Sequence, residues 1–542
     1  MANPAPLSKS HRLIVFASAL GTVFEWYDFY IFGTLAVFFS KAFFPAGDST
    51  AAFLSSLALF GVGFSVRPFG ALFFGRIGDL VGRKYTFLVT IVVMGLSTAL
   101  IGLLPTYASI GFWAPVILVV LRLAQGLALG GEYGGAATYV AEHAPPGKRG
   151  AYTSWIQTTA TLGLFLSLVV IGALRWFMTK EAFAAWGWRL PFLFSFALLA
   201  ISVFIRLKLE ESPVFAQMKA EGKHSTAPLT DSFCRKDNLI VVLKSLFGAT
   251  AGQGVVWYAG QFYALYFLTT TLGVDYISAY TMIAISLVIG AGLLLFFGAL
   301  SDRVGRKPVI LAGLALTVIT YQPIFHGLTR GANPALAGAI DRNPVVLSTT
   351  EYTSTSSRVA SAISEAAKKI VFPAGSASTD TAKARAYLFS RGIPFELAPA
   401  SDGVAVTLRV GSEAVPGYDL KRYAAALAAA GYPLTADPRQ INEPVVVALL
   451  SVLLAYVAMV YGPIAAFLVE LFPTKIRYTS MSLPYHIGNG WFGGFLPLIA
   501  ASIVVSTGDI YAGLWYPIGI AAITFVIGAI VLPETKDRDI SA

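Results

Sequence analysis

Five ionisable side chains lie inside long apolar stretches of this sequence, where a charge is costly. Glu25 and Asp28 interrupt one stretch, Arg67 lies in a second, and Arg122 and Glu132 lie in a third. A charge at the centre of a bilayer costs at least about 2.5–3.5 kcal/mol, so we expect these residues to face a shared cavity. Burial favours the protonated form of a carboxylate, and a neighbouring guanidinium favours the ionised form. Side chains placed this way can exchange a proton and bind an anion.

The stretches around these residues predict a membrane protein. The chain has 542 residues, of which 56% are hydrophobic and only 13% charged, whereas soluble domains carry about 25% charged residues. Apolar runs of about 20 residues are long enough to cross a bilayer. We identify twelve runs, called spans 1 to 12: 13–39, 52–76, 86–104, 112–140, 151–175, 189–207, 240–269, 277–300, 308–328, 445–470, 479–505 and 513–532.

Basic residues are concentrated in alternate loops. Lys9 and Arg12 precede span 1, and further basic residues follow spans 2, 4, 8 and 10, whereas the loops on the other side carry few. By the positive-inside rule, we expect both termini on the cytoplasmic side of a bacterial cytoplasmic (inner) membrane. The net charge of +10 therefore reflects topology. No basic face of a soluble domain indicates a nucleic-acid partner.

The two halves of the chain repeat one another. The segment GRIGDLVGRK at 75–84 recurs as GALSDRVGRK at 298–307, an offset of 223 residues. A second pattern, Glu-x-x-Pro-x-x-x-Arg, begins at Glu142 and again at Glu470, an offset of 328 residues. Parallel repeats of this kind are expected for a transporter built from two similar bundles. The difference of 105 residues between the offsets measures an insertion in the second copy.

The repeated motifs predict a latch of ion pairs on the cytoplasmic side. Asp79 lies where span 2 leaves the membrane, so it can accept hydrogen bonds from the open N-terminus of a neighbouring helix. Arg83 is expected to pair with Glu142, and Arg306 with Glu470; a simple positive-inside anchor is the alternative. The predicted latch residues are Asp79, Arg83, Glu142, Arg149, Asp302, Arg306, Glu470 and Arg477.

The insertion has the pattern of a soluble α/β unit. TAKARAYLFSRG and DLKRYAAALAAAGYP have the pattern of helices, and IPFELAP and VAVTLRVG that of strands. The insertion lies between spans 9 and 10, so we expect it outside the cytoplasm as a compact unit separable from the helical core. A tolerated surface-loop insertion and an external lid or docking module both remain open. The sequence identifies no partner for it.

Five motifs carry a family resemblance: EWYDFYIFG in span 1, RPFGALFFGRIGDLVGRK at span 2, RLAQGLALGGEYGG in span 4, WGWRLPF entering span 6 and the terminal LPETK. With them the chain resembles the major facilitator superfamily and, within it, the metabolite:proton symporter family. The resemblance implies an all-α membrane protein of twelve transmembrane helices in two pseudo-symmetric six-helix bundles, with a small α/β extracytoplasmic insertion. The expected domains are an N-terminal bundle, 1–207, a cytoplasmic linker, 208–239, a C-terminal bundle, 240–328 and 445–542, and the insertion, 329–444.

The resemblance also implies roles for the buried charges. Proton-coupled sugar porters of the same superfamily are similar around "YD" in span 1 and Arg-x-x-x-Gly-x-x-x-Gly in span 4. In them the span-1 aspartate faces the span-4 arginine and takes the proton. By position these roles pass to Asp28 and Arg122, with Glu25 and Glu132 as alternative proton carriers. The alternative is that Asp28 and Arg122 form a static ion pair between helices and exchange no proton.

Spans 7 and 11 supply uncharged polar groups, which together with two arginines suit a small carboxylate that bears hydroxyl or keto groups. Gln253 and Gln261 do not share a helix face, so we expect only one of them to point inward. A lone histidine in a helix is more often structural than a proton relay. The predicted substrate-binding residues are Arg67, Arg122, Gln125, Gln253, Trp257, Tyr258, Gln261, Tyr485, His486 and Asn489.

These features predict a proton-coupled symporter that imports a small organic acid by alternating access, with no cofactor and no metal. The expected partners are that substrate, protons and the lipid bilayer. Members of the resembled family carry organic acids or zwitterions, so uptake of proline or betaine is one alternative. Osmosensing relatives have a long C-terminal coiled coil, whereas nine residues follow Pro533 here. A sensor that uses the insertion is another alternative. No motif indicates an enzyme.

Overall fold

The computed structural model describes residues 9–44, 59, 61–80, 83–131, 133–207, 228–353, 357–358, 361, 379–400, 403–473 and 476–540. Glu132, a predicted alternative proton carrier, lies outside the described residues.

In the described part of the chain, helices lie at the predicted spans of the first half. Span 1 is interrupted at Leu35 and span 4 after Gly130, and a π-helical turn precedes span 6. The helices are Lys9–Thr34, Ala36–Phe43, Arg67–Leu80, Arg83–Leu103, Tyr107–Ile110, Trp113–Gly130, Tyr133–His143, Arg149–Phe177, Lys180–Ala182, the π-helix Phe183–Gly187 and Arg189–Leu207.

Span 7 in the second half departs most from regular helix geometry, because three π-helical turns divide it. The helices of the second half are Pro228–Phe233, Lys236–Ser245, Ala251–Tyr258, Ala264–Tyr266, Tyr276–Val304, Arg306–Ala332, Glu443–Tyr461, Ile464–Leu471, Arg477–Ile487, Leu496–Thr507 and Trp515–Val531. The π-helical turns are Leu246–Thr250, Ala259–Tyr263, Phe267–Thr271 and, in span 11, Gly488–Gly493, and a 3₁₀ turn covers Ala512–Leu514.

Among the described residues, apolar helices lie at the positions of the expected spans. Among the described residues, eight helices are long and apolar enough to cross a membrane, and the bent pair Lys180–Gly187 and Arg189–Phe204 forms a ninth crossing. Two shorter apolar helices, Gly61–Phe74 and Leu88–Leu103, correspond to spans 2 and 3. The helix Lys9–Thr34 corresponds to span 1.

Glycines let spans 2 and 4 pack backbone to backbone. A Cβ added to Gly126 would collide with the carbonyl oxygen of Gly63, and one added to Gly130 with the carbonyl oxygen of Arg67. Small residues at four-residue spacing allow this approach between membrane helices. The contact brings Arg67 and Arg122 of these two spans close together.

At one end of the bundle, which also carries the insertion and is called the insertion end, the second half bonds to the first. Tyr266 donates its hydroxyl to the carbonyl oxygen of Gly33 at 2.7 Å, and Tyr280 donates to that of Thr34 at 2.8 Å. Both carbonyls lie where span 1 is interrupted at Leu35, and helix ends leave carbonyl oxygens without intrahelical donors. The two halves are therefore joined at this end.

The two halves also bond at the opposite end, called the latch end. Tyr478 of span 11 donates its hydroxyl to the carbonyl oxygen of Gly131, at the interruption of span 4, at 2.7 Å. The carboxylate of Asp302 in span 8 accepts the backbone N–H groups of Gly150 and Ala151 in span 5, each at 2.8 Å. With both ends joined, the described part of the chain adopts an occluded arrangement.

The insertion contains a four-stranded sheet with helices, as the sequence predicts, but with two strands that sequence reasoning missed. The strands are β1, Val345–Thr349, β2, Glu396–Pro399, β3, Val406–Val410, and β4, Glu413–Pro416. Their order is β2-β1-β3-β4, with β1 parallel to β2 and the other pairs antiparallel. The helices are Pro334–Arg342, Asp380–Ser390 and Leu420–Ala429. Both missed strands are short, and β4 has a mostly exposed pattern.

The insertion is bonded to the helical core, a feature that the sequence did not indicate. The backbone N–H of Phe395 donates to the carbonyl oxygen of Gly508 after span 11 at 3.0 Å. The N–H of Ala436 donates to the carbonyl oxygen of Gly273 after span 7 at 3.1 Å. Both contacts are to the second half. The domain boundaries and the separability of the insertion stay predictions.

Gly392→Ala is expected to loosen this docking. Gly392 has φ +62°, and an added Cβ would collide with the carbonyl oxygen of Thr271 at the end of span 7. The left-handed conformation costs a non-glycine residue about 1–2 kcal/mol, and the collision adds about 1–3 kcal/mol. Gly417→Ala is the matched control, because Gly417 has φ +71° with no described atom within 4 Å of an added Cβ. Equal losses of Tm in the two variants would contradict the docking contact.

Candidate functional site

A cavity lies between the two halves. Three of the predicted substrate-binding residues line it, together with aromatic and polar residues that the sequence analysis did not select. The lining residues are Thr22, Trp26, Arg67, Leu129, Tyr133, Ala136, Ile156, Gln157, Tyr461, Tyr485 and His486. The cavity therefore combines one guanidinium, neutral hydrogen-bonding groups and aromatic walls.

Arg67 is the cation of this cavity. Its side chain is 1% exposed, and within the described residues its Nε and Nη2 atoms have no hydrogen-bond partner. The guanidinium lies against the rings of Phe64, Phe29 and Trp26, at 3.8, 4.2 and 5.1 Å from the ring centroids. Cation–π contacts stabilise a desolvated guanidinium only in part. An anion in the cavity would supply the missing charge and acceptors.

Arg122 has a different environment. It donates to Oε1 of Gln125 at 2.6 Å, and Gln125 in turn donates to the hydroxyl of Thr98 at 2.6 Å. Its guanidinium also lies 4.3 Å from the ring of Phe29 and 4.2 Å from that of Phe32. Arg122 is fully buried and does not line the cavity. Gln125 therefore lies beside Arg122 in the structure, turned away from the cavity.

The geometry carried over from sugar porters is wrong for Asp28. No ion pair joins Asp28 to Arg122 in the part of the chain that the structure describes. Asp28 is 4% exposed, and its neighbouring polar side chain is Ser195 of span 6. The reason is helix rotation: Phe29 and Phe32 occupy the face of span 1 that meets Arg122. Glu25 is also buried, at 4% exposure.

In the second half, the side chain of Gln253 is hydrogen-bonded to that of Asn489, another predicted substrate-binding residue. Its side-chain amide and that of Asn489 exchange hydrogen bonds of 3.1 and 2.9 Å. Gln261 is 1% exposed, and neither of its amide atoms has a partner among the described residues. The π-helical turn Ala259–Tyr263 changes the rotation of span 7 between the two glutamines. A sequence that is read at 3.6 residues per turn does not reveal this change.

Aromatic residues form much of the centre. Tyr485 and Tyr133 stack with centroids 3.5 Å apart, and the hydroxyls of Tyr485 and Tyr461 are 2.9 Å apart. His486 meets the rings of Tyr133 and Tyr485 edge-on and is 1% exposed. Trp257 and Tyr258 are buried too, at 2% and 1% exposure, but neither lines the cavity. Of the predicted residues, Tyr485 and His486 therefore line the cavity, whereas Trp257 and Tyr258 lie outside its lining.

At the latch end, Arg306 and Glu470 are paired. Nη2 and Nε of Arg306 donate to the two oxygens of Glu470 at 3.1 and 3.3 Å, and Asp302 lies 2.7 Å from Nη1 of Arg306. Glu470 also meets Arg149 at 3.5 Å and accepts from the hydroxyl of Thr535 at 2.8 Å. These side chains are largely buried. The network joins both halves and the C-terminal segment.

The first-half copy of the latch lies outside the described side chains. The side chains of Asp79, Arg83 and Glu142 lie outside the described residues, although their backbones belong to helices. Arg477 donates to the carbonyl oxygens of Phe472 and Ile540, at 3.1 and 2.7 Å. These two hydrogen bonds join Arg477 to backbone groups, one of them in the C-terminal segment.

The C-terminal segment holds the latch end in a way that the sequence analysis missed. The carboxylate of Glu534 accepts the backbone N–H groups of Arg306 and Lys307 at 2.9 and 3.1 Å. Burial raises the pKa of Glu534, but these and two further backbone donors outweigh it and hold the pKa below its ordinary value. This contribution to stability is lost as the pH falls through the lowered value. The LPETK motif contains Glu534 and could have indicated this contact from the sequence.

Comparison with known proteins gives consistent matches. A family described as sugar (and other) transporter matches residues 13–241 and 423–542. The inner membrane metabolite transport protein YhjE of Escherichia coli is 39% identical over 340 residues, 62% of this chain and 76% of that protein. The shikimate transporter of the same organism is 35% identical over 328 residues, 59% of this chain and 73% of that protein. Both relatives are transporters.

A solved structure has the same fold. The proton:xylose symporter XylE, described as a major facilitator superfamily protein, matches with a TM-score of 0.60 and 15% identity, and the match covers 97% of each chain. At this identity the likeness concerns the fold alone. It confirms the predicted fold class, two helical bundles of the major facilitator type, and the structure adds the small sheet in the insertion.

Proposed function

Because this chain belongs to the sugar (and other) transporter family and is a multi-pass membrane protein, we propose that it is a proton-coupled symporter that imports a small organic acid. The observation that carries the proposal is Arg67. This buried guanidinium lines a central cavity and has two nitrogen atoms without hydrogen-bond partners among the described residues. A fixed cation of this kind at the centre of a membrane protein marks a substrate or ion pathway.

The other groups of the cavity favour an acid that also carries a hydroxyl or keto group. Gln157 donates to the hydroxyl of Tyr133 at 2.9 Å, which leaves its Oε1 atom without a partner among the described residues. That oxygen can accept a hydrogen bond from a substrate hydroxyl. The hydroxyls of Tyr461 and Tyr485 can donate or accept. A carboxylate on Arg67 and a hydroxyl on Gln157 would fix the orientation of the substrate.

Alternating access would proceed by breaking the contacts at one end of the bundle at a time. We assign the latch end to the cytoplasm by the positive-inside rule, because it carries Arg149, Arg303, Arg306 and Lys307. The insertion would then face the periplasm, with both termini cytoplasmic. Opening inward would separate Asp302 from span 5 and Glu470 from Arg149, and opening outward would release Tyr266 and Tyr280 from span 1.

We assign the proton to Asp28. Its carboxylate is buried beside Ser195, and no ion pair joins it to Arg67 or Arg122 among the described residues, so no paired guanidinium opposes its protonation. Its position next to span 6 suits a site that senses movement between helices of the first half. Glu25 stays the alternative carrier.

Asp28→Asn is expected to abolish accumulation driven by a pH gradient while counterflow exchange continues. An amide cannot release a proton, yet it keeps the shape and hydrogen-bonding capacity of the protonated acid. Uptake and counterflow in proteoliposomes measure the two activities. Glu25→Gln is the matched control and should retain pH-driven accumulation. If Glu25→Gln loses accumulation and Asp28→Asn retains it, Glu25 is the carrier.

The proposed function can be tested by a thermal-shift screen of the purified protein in detergent. A ligand that binds the folded state at 100 times its Kd stabilises it by about 2.7 kcal/mol. Hydroxy and keto acids should raise Tm, while the corresponding alcohols and amides should not. Stabilisation by neutral sugars alone would contradict an organic-acid substrate.

A second candidate substrate class is a zwitterion with a quaternary or secondary ammonium group. Trp26, Tyr30 and Trp257 form a continuous stack, with centroids 5.0 Å apart for the first pair and 5.4 Å for the second. Of these three residues, Trp26 lines the cavity. An aromatic face binds such cations, and Arg67 would hold the carboxylate. Glycine betaine and proline belong in the same screen, and stabilisation by these compounds alone would favour this class.

A further inference from the structure

The ring of Phe29 is shared by the two buried arginines. The guanidinium carbon of Arg67 lies 4.2 Å from its centroid and that of Arg122 lies 4.3 Å from it. The two carbons are therefore at most about 8.5 Å apart, since each lies within 4.3 Å of one point. Two like charges at this separation in a low-dielectric medium repel each other. The negative face of the ring lowers that repulsion for both cations.

The two arginines differ in access to the cavity. Arg67 lines it, whereas Arg122 is 0% exposed and lies outside the lining. Gln125 and the ring of Phe32 contact the guanidinium of Arg122 on its other sides. Phe64 meets Phe29 edge-on at 4.2 Å and limits its movement. Phe29, which does not itself line the cavity, is thus packed against a cation that a ligand can reach and one that it cannot.

We propose that Phe29 sets the number of carboxylates that the substrate carries. With the ring in place, the cavity presents one guanidinium and takes a monocarboxylate. Without the ring, a second carboxylate reaches Arg122, and the site takes a dicarboxylate. The inference rests on the proposed function, because it requires Arg67 to hold a substrate carboxylate. It assigns Phe29 as a specificity-determining residue that touches both anion-binding side chains.

The charge balance of the site supports this assignment. A monocarboxylate neutralises Arg67, while Arg122 keeps its hydrogen bond to Gln125 and its contacts with two rings. A dicarboxylate in the intact cavity would leave its second charge among the other lining side chains, which include no second arginine and no lysine. An unpaired carboxylate in such surroundings is strongly disfavoured. Selectivity for monocarboxylates thus follows because the ring of Phe29 keeps a second carboxylate from Arg122.

The test compares a monocarboxylic and a dicarboxylic acid of similar skeleton in the wild type and in Phe29→Ala. The first pair of probes is 3-hydroxybutyrate and malate, and the second pair is cyclohexanecarboxylate and cyclohexane-1,4-dicarboxylate. The Kd of each acid is measured by thermal shift and calorimetry. We expect the wild type to bind the monocarboxylate of each pair more tightly. In Phe29→Ala the ratio should shift toward the dicarboxylate by about tenfold or more, the value of one charge-assisted bidentate contact. Adding Arg122→Gln to Phe29→Ala should remove that gain.

The control variant Phe29→Leu keeps an apolar side chain and should shift the ratio of the two Kd values in the same direction by a smaller factor. It tests the inference if Phe29→Ala fails to insert into the membrane. Preference of the wild type for dicarboxylates would overturn the inference. So would an equal loss of affinity for both acids in the Phe29 variants, which is the result of lost packing alone. If Arg67→Met leaves every acid bound as in the wild type, the proposed function fails as well. If Arg67→Met abolishes binding and the ratio is unchanged in the Phe29 variants, this inference alone fails.

Discussion

Arg67→Met is expected to abolish the stabilisation of the protein by organic acids and to stop their transport. The substrate carboxylate would lose its fixed cation in a desolvated cavity, which costs about 2–5 kcal/mol of binding free energy, or more than about 30-fold in Kd. Arg67→Lys should bind with intermediate affinity, because an ammonium group replaces the charge but not the planar fork of donors. Calorimetry and proteoliposome uptake measure the two effects.

The same variant should not destabilise the ligand-free protein. Arg67 has two unpartnered nitrogen atoms among the described residues, so its removal relieves a desolvated charge. Replacing buried ions by apolar side chains of similar volume is often neutral or stabilising. We therefore expect the Tm of ligand-free Arg67→Met to equal or exceed that of the wild type. A structural role for Arg67 would instead lower the Tm.

Arg175→Met is the matched control for Arg67→Met. Arg175 is also a buried arginine, at 5% exposure, and it lies against the rings of Phe183 and Phe38, at 5.3 and 5.9 Å. It belongs to the last turn of span 5 and does not line the cavity. Ligand binding should survive in this variant. Loss of binding in both variants would mean that general destabilisation explains the effect, and retention in both would argue against an anionic substrate.

Glu470→Gln is expected to produce the largest loss of stability among these variants. Glu470 accepts from Arg306, meets Arg149 and receives the hydroxyl of Thr535. An amide removes one of the two carboxylates that pair with Arg306 and leaves Asp302 at 2.7 Å. Breaking a buried pair costs up to about 3–5 kcal/mol. The cost applies only while the latch end is closed. The variant should therefore have a lower Tm and a larger population open at the latch end.

Thiol labelling can measure this opening. In a Cys234→Ser background, a cysteine introduced by Ala136→Cys at the cavity wall should react faster with a reagent supplied from the latch end when Glu470→Gln is present. The double variant Glu470→Leu with Arg306→Met removes both charges and should recover part of the lost Tm. Unchanged labelling and Tm in Glu470→Gln would show that the network contributes nothing to closure.

The sequence by itself determined the number and position of the spans and the existence of the insertion. A membrane-spanning helix must be about 20 apolar residues long to cross the bilayer, so its position is visible in composition alone. The repeats at 75–84 and 298–307 indicated two similar bundles, and the motif spacing predicted the Arg306–Glu470 pair that the structure shows. The burial of Glu25, Asp28, Arg67 and Arg122 also followed, because each interrupts an apolar run.

Only the tertiary structure decided which of these buried groups meet. Arg122 contacts Gln125 and two phenylalanines of span 1, and Asp28 lies toward span 6, because the rotation of each helix is set by its packing and not by its own periodicity. The π-helical turns of span 7 change its faces in a way that a regular period does not predict. The docking of the insertion depends on close backbone approaches at Gly392 and Gly508. Such contacts join residues that are far apart in the chain, and one helix or strand carries no record of its neighbours.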